Sequence, residues 1–464
     1  MTGIPLIIAF VIAIIVMIFA ISKLKIHPFL SIMTVSLIFG LIGGIPLVDT
    51  KVDDKTIPGI ATVIGQGFSG TFTSIGIVII LGALIGMILE VTGAAFKMAD
   101  AIVRLVGEKR PVLAIELMGW IVSIPVFCDS GFVILNPIRK ALARRTGASS
   151  VAMTVALSAG LYTAHVFIPP TPGPIAAANT LGLGDNLLLV IGMGALVSPV
   201  PLIAAYLYAR YIGKRVLSSE DDAASDEEVQ ATYDDLKASY GKLPSTWLSF
   251  APIIVPILAM ALGSVSSMAK WTGLGANLLK FFGTPIIALA IGTVLAIVVL
   301  QATAKMDQFY DVTNETLKVV GPILFITAAG GVLGKVIAST DIVAFITEHA
   351  TSLAVMGMFF PFLLSAILKT AQGSSTVALV TTAGIVAPLL PALGLDSPAR
   401  IALTVMAIAA GAMTVSHAND SYFWVVTNFG GMTPDQGYKT QTMVTLIMGV
   451  TSIIFIWILS LFIQ

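Results

Sequence analysis

Four short polar runs interrupt an otherwise apolar chain: F-C-D-S-G at 127–131, H-V-F-I-P-P-T-P-G-P at 165–174, A-Q-G-S-S-T at 371–376 and S-H-A-N-D-S at 416–421. Each mixes residues that stop a helix with residues that hydrogen-bond or ionise. A helix stopped inside an apolar layer leaves unpaired N–H groups at one end and unpaired C=O groups at the other. The first attract carboxylates and the second attract cations. Asp129 is the strongest single candidate for carrying a proton, because an ionisable group at membrane depth is costly and by default functional. Its structural alternative is a cap for the helix that follows. His165 and His417 stand at comparable places in two of the runs and are candidates for the same proton path, against the plainer role of buried core histidines. Asp420 joins that set, with capping of the following helix as the alternative for it and for Asn419. Ser374, Ser375 and Thr376 offer hydroxyls beside Gly373, where a ligand can approach the backbone, or else form an N-capping cluster. Ser130, Gly131, Thr171 and Gly173 supply the corresponding hydroxyls and open backbone in the first two runs. Pro169, Pro170, Pro172 and Pro174 forbid a continuous helix there. Lys369 precedes the third run, where it can meet an anionic substrate or pair with Asp129 or Asp420. Glu90, Glu116 and Lys335 read as structural charges near span ends.

The frame holding these runs is a membrane protein. Of 464 residues, 57% are hydrophobic and 11% charged, with mean hydropathy +0.98. A soluble domain carries about 25% charged residues, so a soluble enzyme is excluded. The balance of 25 Lys+Arg against 25 Asp+Glu gives no basic field for nucleic acid. The single cysteine, Cys128, excludes an internal disulfide and a thiolate metal cage, and no cofactor or metal is implied. Apolar runs of about 20 residues indicate membrane helices rather than a barrel. The run at 3–22 has no basic stretch before it and no small-residue cleavage site after it, so it reads as a first span, not a signal peptide.

The expected spans are 3–22, 28–47, 72–92, 149–182 and 186–209, then 248–268, 284–303, 319–338, 399–431 and 442–463. Residues 111–138 are too long for one crossing and too short for two. Basic residues flank both ends: Arg104, Lys109 and Arg110 before, Arg139, Lys140, Arg144 and Arg145 after. Short basic loops stay cytoplasmic, so this segment is expected to enter and return as a re-entrant hairpin with its tip at 127–131. Residues 351–394, flanked by Asp341, Glu348, His349 and Asp396, are expected to dip from the opposite face. The charged stretch 213–245 reads as a cytoplasmic linker.

The two halves resemble each other at an offset of 245 residues: 82–89 lies over 327–334, and 127–135 over 372–380. Further on, A-G-L-Y-T-A-H at 159–165 resembles A-G-A-M-T-V-S-H at 410–417. The expectation is an all-α polytopic fold of two inverted repeats, 1–212 and 246–464. Each has five spans and one hairpin (111–138 or 351–394), with a broken helix at 149–182 in the first and at 399–431 in the second. Five crossings per half invert the second against the first, and such repeats with interrupted helices are the architecture of secondary transporters.

The chain resembles the gluconate permease (GntP) family of the ion transporter superfamily along nearly its whole length. The most specific matches are the run from His165 to Pro174, A-Q-G-S-S-T-V-A from Ala371 to Ala378 and S-H-A-N-D-S-Y-F-W from Ser416 to Trp424; G-G-V-L-G-K from Gly330 to Lys335 is weaker. The sequence departs from the family pattern at Cys128, Ser130, Thr171 and Lys369. The resemblance implies proton-coupled import of gluconate or a related sugar acid, a dimerising scaffold, and a transport domain that moves as an elevator. The reading is then an inner-membrane symporter, not an enzyme, whose partners are a small carboxylate, protons, the lipid bilayer and a second copy of the chain. Ser130, Gly131, Thr171, Gly173, Lys369, Gly373, Ser374, Ser375, Thr376 and Asn419 would bind substrate. Asp129, His165, His417 and Asp420 would couple the proton. Sodium coupling is the alternative, since the same breaks offer carbonyl and hydroxyl oxygens. An intramembrane hydrolase using Asp129 and Asp420 is more remote, as no paired catalytic motifs lie on adjacent helices.

Overall fold

The computed structural model describes residues 3–52, 55–107, 109–220, 234–235, 237–342, 345 and 356–463. The acidic centre of the linker, the start of the second expected hairpin and its flanking residues Glu348 and His349 lie outside the described residues. The described residues are mostly helical, with one small antiparallel strand pair, Thr50–Val52 with Lys55–Ile57. Among the described residues seven helical stretches are long and apolar enough to cross a membrane, or eight if the bent helix at 60–91 counts.

In the first half, α1 (Ile4–Ser22), α2 (Pro28–Ile42) and α3 (Ile60–Val91) are followed by α4 (Ala94–Val106). Then come α5 (Pro111–Val122) and α6 (Cys128–Thr146), α7 (Ser150–Phe167) and α8 (Pro172–Thr180), and α9 (Leu187–Val197) with α10 (Pro199–Ile212). The second half runs α11 (Thr246–Met268), α12 (Leu274–Gly283), α13 (Pro285–Ala302) and α14 (Phe309–Ala338). It continues with α15 (Phe359–Gln372) and α16 (Ser375–Val386), α17 (Pro398–Met413) and α18 (Ser421–Phe429), and ends in α19 (Pro434–Gly437), a π-helical turn at Tyr438–Thr442 and α20 (Met443–Ser460).

Local chemistry sets most of these boundaries. Proline occupies the first turn of α2, α5, α8, α10, α13 and α17, where its missing N–H costs nothing. Side chains of Ser149, Ser245, Ser374, Ser397 and Asp420 accept first-turn N–H bonds at the starts of α7, α11, α16, α17 and α18, satisfying donors otherwise stranded in an apolar layer.

Several sequence expectations shift. Helices α3 and α14 begin at Ile60 and Phe309, not 72 and 319, and they pack along each other. The first hairpin's second arm continues to Thr146, so Arg139, Lys140, Arg144 and Arg145 are helical rather than loop residues. Arg139 is fully buried. The expected span 186–209 is divided at Ser198 into α9 and α10. Helix α4 was not expected. It buries Ala94, Ala95, Met98, Ala99 and Ile102 on one face and carries Lys97 and Arg104 on the other.

Two crossings are pinned by backbone proximity. A Cβ on Gly160 of α7 would lie 2.0 Å from the carbonyl oxygen of Glu116 in α5, and one on Gly411 of α17 would lie 2.3 Å from that of Phe362 in α15. In each half the hairpin's first arm therefore touches the first part of the broken helix at a glycine. Second arms also pair across halves: α16 packs on α8, and α6 packs on α18.

Candidate functional site

Each polar run contains the start of a helix. The first turns of α6, α8, α16 and α18 start at Cys128, Pro172, Ser375 and Ser421. The cross-pairing of second arms brings these starts together in pairs. Gly173 faces Thr376 and Leu379, whose Cδ1 would lie 2.9 Å from a Cβ there. Asp129 Oδ1 accepts a hydrogen bond from Ser421 Oγ at 3.2 Å. Unpaired N–H groups at such starts favour an anion.

At the floor of this region lies a buried ion pair. Lys369 Nζ is 2.6 Å from Asp420 Oδ2, with side-chain exposures of 1% and 7%. Of the alternatives open to Lys369, the structure takes Asp420. The ammonium also donates to the carbonyl of Gly373 and lies 5.9 Å from the centre of the Tyr162 ring. The Asp420 carboxylate accepts Ser416 Oγ at 2.5 Å and the Tyr422 N–H at 3.0 Å. Asp420 is thus both the cap of α18 and the partner of Lys369, and its two oxygens divide those tasks.

The second hairpin tip is fixed to the second break. Asn419 Nδ2 donates to the Thr370 carbonyl at 2.9 Å, and His417 Nε2 lies 3.0 Å from the same oxygen. Gly373 has φ +92°, and a Cβ there would lie 2.2 Å from the carbonyl oxygen of Asn419. Only glycine fits that conformation and that approach. Ser374 caps α16 by accepting the Val377 N–H. Ser374, Ser375 and Thr376 remain half-exposed, as do Asp129 and Ser130, while Asn419 and Ser421 are exposed. The Lys369–Asp420 pair therefore sits beneath a polar, accessible rim.

The first break is more closed. The Thr171 hydroxyl donates within the break, to the carbonyls of His165 and Ile168, both at 2.9 Å. It satisfies the end of α7 rather than facing outward. The peptide between Pro169 and Pro170 is cis. His165 is buried with its ring 5.9 Å from that of Phe127 at the first tip, and its Nδ1 meets no partner among the described residues. Ser130 reaches the Glu90 carboxylate, and Gly131 packs on Leu161.

Sequence reasoning missed Tyr162 and Tyr422. Their rings lie 5.1 Å apart and their hydroxyls donate to the carbonyls of Ala412 and Ser158. They tie α7, α17 and α18 together beside the ion pair. The signal was present, since Tyr162 lies inside the 159–165 repeat segment.

A second polar cluster holds the far end of the first hairpin. Arg139 Nη2 meets Glu220 Oε2 at 2.7 Å and Lys140 meets Glu220 Oε1 at 2.8 Å. Arg139 Nε donates to Asn136 Oδ1 at 2.7 Å, and Asn136 Nδ2 donates to the Phe429 carbonyl at 3.2 Å. Burial alone would raise the Glu220 carboxyl. The Arg139 charge and hydrogen bonds from Lys140, Ser150 and Arg139 outweigh it and hold the group below its ordinary value. The first residues of the linker are therefore docked, not solvated.

The GntP family permease model matches residues 4–462. The chain belongs to the GntP permease family. It is a multi-pass membrane permease and not an enzyme. It is 34% identical over 441 residues to an uncharacterized permease of Haemophilus influenzae, covering 93% of this chain and 87% of that one. It is 31% identical to the inner membrane permease YgbN of Escherichia coli K12, covering 96% of both. It is 30% identical to the low-affinity gluconate transporter of the same organism, covering 97% of both. Its fold is similar to that of the Alcanivorax borkumensis YdaH transporter, described as having an unusual topology, with TM-score 0.61 at 16% identity over 94% of this chain and 97% of that one.

Proposed function

We propose that this permease is a secondary active symporter, driven by protons, for gluconate or a related small sugar acid of the inner membrane. The observation that carries the reading is the buried Lys369–Asp420 pair beneath an accessible rim of hydroxyls and amides. The pair is neutral as it stands. A substrate carboxylate seated against Lys369 would leave two negative charges and one positive in a poorly solvated place, which is costly. One proton taken by Asp420, or by Asp129 bonded to the neighbouring Ser421, restores neutrality. Substrate and proton then bind better together than apart, which is the thermodynamic content of symport. Helix starts at Ser375 and Ser421 add partial positive charge for the carboxylate. Ser374, Ser375, Thr376, Ser130 and Asn419 would meet the substrate hydroxyls. The gluconate transporters among the relatives favour this substrate class.

The matching order of elements in 4–212 and 246–460, with Gly160 and Gly411 at equivalent crossings, supports two inverted repeats. On this reading the hairpins α5–α6 and α15–α16 and the broken helices α7–α8 and α17–α18 form the moving domain. Helices α3 and α14 belong to a scaffold that dimerises, and the 213–245 linker is cytoplasmic. Purified protein in liposomes tests the coupling: a pH gradient alone should drive gluconate uptake. Uptake that requires a Na⁺ gradient and ignores pH would replace protons with sodium.

A further inference from the structure

Helix α3 carries Gly82, Gly86 and Glu90 at four-residue spacing, one turn apart on one face. A Cβ on Gly82 would lie 2.8 Å from the carbonyl oxygen of Pro170 in the first break, and one on Gly86 would lie 2.0 Å from that of Pro125, just before the first tip. Backbone contact at both glycines presses this face of α3 against the first break and tip. The third residue of the row completes the contact, because the Glu90 carboxylate accepts a hydrogen bond from the Ser130 hydroxyl. Among the described residues Ser130 is the donor that this carboxylate meets. Lys305, which reaches the same helix end, spends its ammonium on the neighbouring Val91 carbonyl at 2.8 Å and lies 5.3 Å from the centre of the Tyr240 ring. Both Glu90 and Ser130 are half-buried, so the bond sits at the edge of the accessible rim.

We propose that Glu90 is a positioning residue for substrate selection: by holding the Ser130 hydrogen it leaves that hydroxyl only lone pairs for the site, so the first tip reads a hydroxyl donor on the substrate. A serine hydroxyl has one hydrogen and two lone pairs. Once a carboxylate takes the hydrogen, the oxygen can accept from a ligand but cannot donate to it. Ser421 at the facing helix start is committed in the same way, since its Oγ donates to Asp129 Oδ1 at 3.2 Å. This side of the rim therefore suits a polyhydroxylated acid, whose O–H groups donate. It sets lone pair against lone pair for a substrate that offers only an acceptor there, and such an unmatched polar contact is a device of selection. The inference rests on the sugar-acid reading above and names the part of the site that recognises the polyol tail.

The test is binding of gluconate and of its deoxy-fluoro analogues to the purified full chain, followed by calorimetry. Each analogue has one hydroxyl replaced by fluorine, which is of similar size and cannot donate. For wild-type protein at least one analogue should bind about tenfold or more weakly than gluconate. Glu90→Leu frees the Ser130 hydrogen to turn toward the ligand, and should cut that penalty to about threefold or less. Ser130→Ala should cut it as well, and adding Glu90→Leu to Ser130→Ala should change it no further. A merely structural Glu90 would weaken all the ligands alike and leave the ratio as it was. If Glu90→Leu fails to fold, Ser130→Ala decides alone, since it is a small change at an accessible tip. A penalty unchanged in the variants, or a Glu90→Leu effect on the ratio that persists without the Ser130 hydroxyl, would overturn the proposal while gluconate binding stands. Wild-type protein that binds no gluconate would overturn the sugar-acid reading and this inference with it.

Discussion

Removing one partner of the Lys369–Asp420 pair should cost far more than removing both. At 2.6 Å and an effective dielectric constant near 20, the direct attraction is about 6 kcal/mol. Desolvating the two ions costs several kcal/mol each, so the net worth of the intact pair is small. A single Lys369→Met strands the Asp420 carboxylate, and a single Asp420→Asn strands the ammonium, leaving it chiefly the Gly373 carbonyl. Each should destabilise by about 3–5 kcal/mol. Asn at 420 can still accept the Tyr422 N–H, so loss of the cap contributes little. The double variant should cost no more than either single one, giving a coupling energy on the order of 3 kcal/mol. Unfolding of all four proteins in one detergent, followed by tryptophan fluorescence, measures the cycle. Single costs below about 1 kcal/mol that simply add would refute the pair as an energetic unit, and with it the charge balance argued for symport.

Gly373→Ala should destabilise the second hairpin tip by about 1–3 kcal/mol and lower substrate affinity, read by unfolding and by thermal shift with gluconate. Asp129→Asn should lose pH-driven accumulation while keeping counterflow exchange; a variant that still concentrates substrate moves the proton to Asp420, His165 or His417. Glu220 titrates below its ordinary 4.5, so its stabilisation is present above that value and is lost as pH falls through the folded-state value. Glu220→Gln should therefore flatten the fall in melting temperature below about pH 4.5, and an unchanged slope would count against the Arg139–Glu220 anchor. Cysteines at exposed Arg110 and Arg145, in a background lacking Cys128, should both label from one membrane side only; labelling from opposite sides would refute the re-entrant hairpin.

The helix breaks were legible because proline and glycine act locally: Pro169 to Pro174 stop a helix wherever they stand. The extent of the first hairpin was not. Arg139 through Arg145 look like loop charges in one dimension, and the partner that lets Arg139 be buried, Glu220, lies 81 residues away. The cross-pairing of α16 with α8 and of α6 with α18 was likewise hidden, since local pattern says where a helix breaks but not which neighbour it packs on. Candidate site residues were chosen by type, and type does not say which partner each one meets. Thr171 spends its hydroxyl on the break, Asp420 serves two partners at once, and Tyr162 and Tyr422 look like ordinary apolar core until their hydroxyls are placed.

Symport is tested most directly by recording substrate and proton in one preparation. Liposomes holding the purified protein and a lumenal pH dye, free of Na⁺, receive labelled gluconate under an inward pH gradient and a clamped membrane potential. The account predicts gluconate accumulation above its outside concentration, with gluconate-dependent acidification of the lumen, and loss of both in Asp420→Asn combined with Asp129→Asn. Accumulation without acidification, or uptake that appears only when Na⁺ is added, would contradict it.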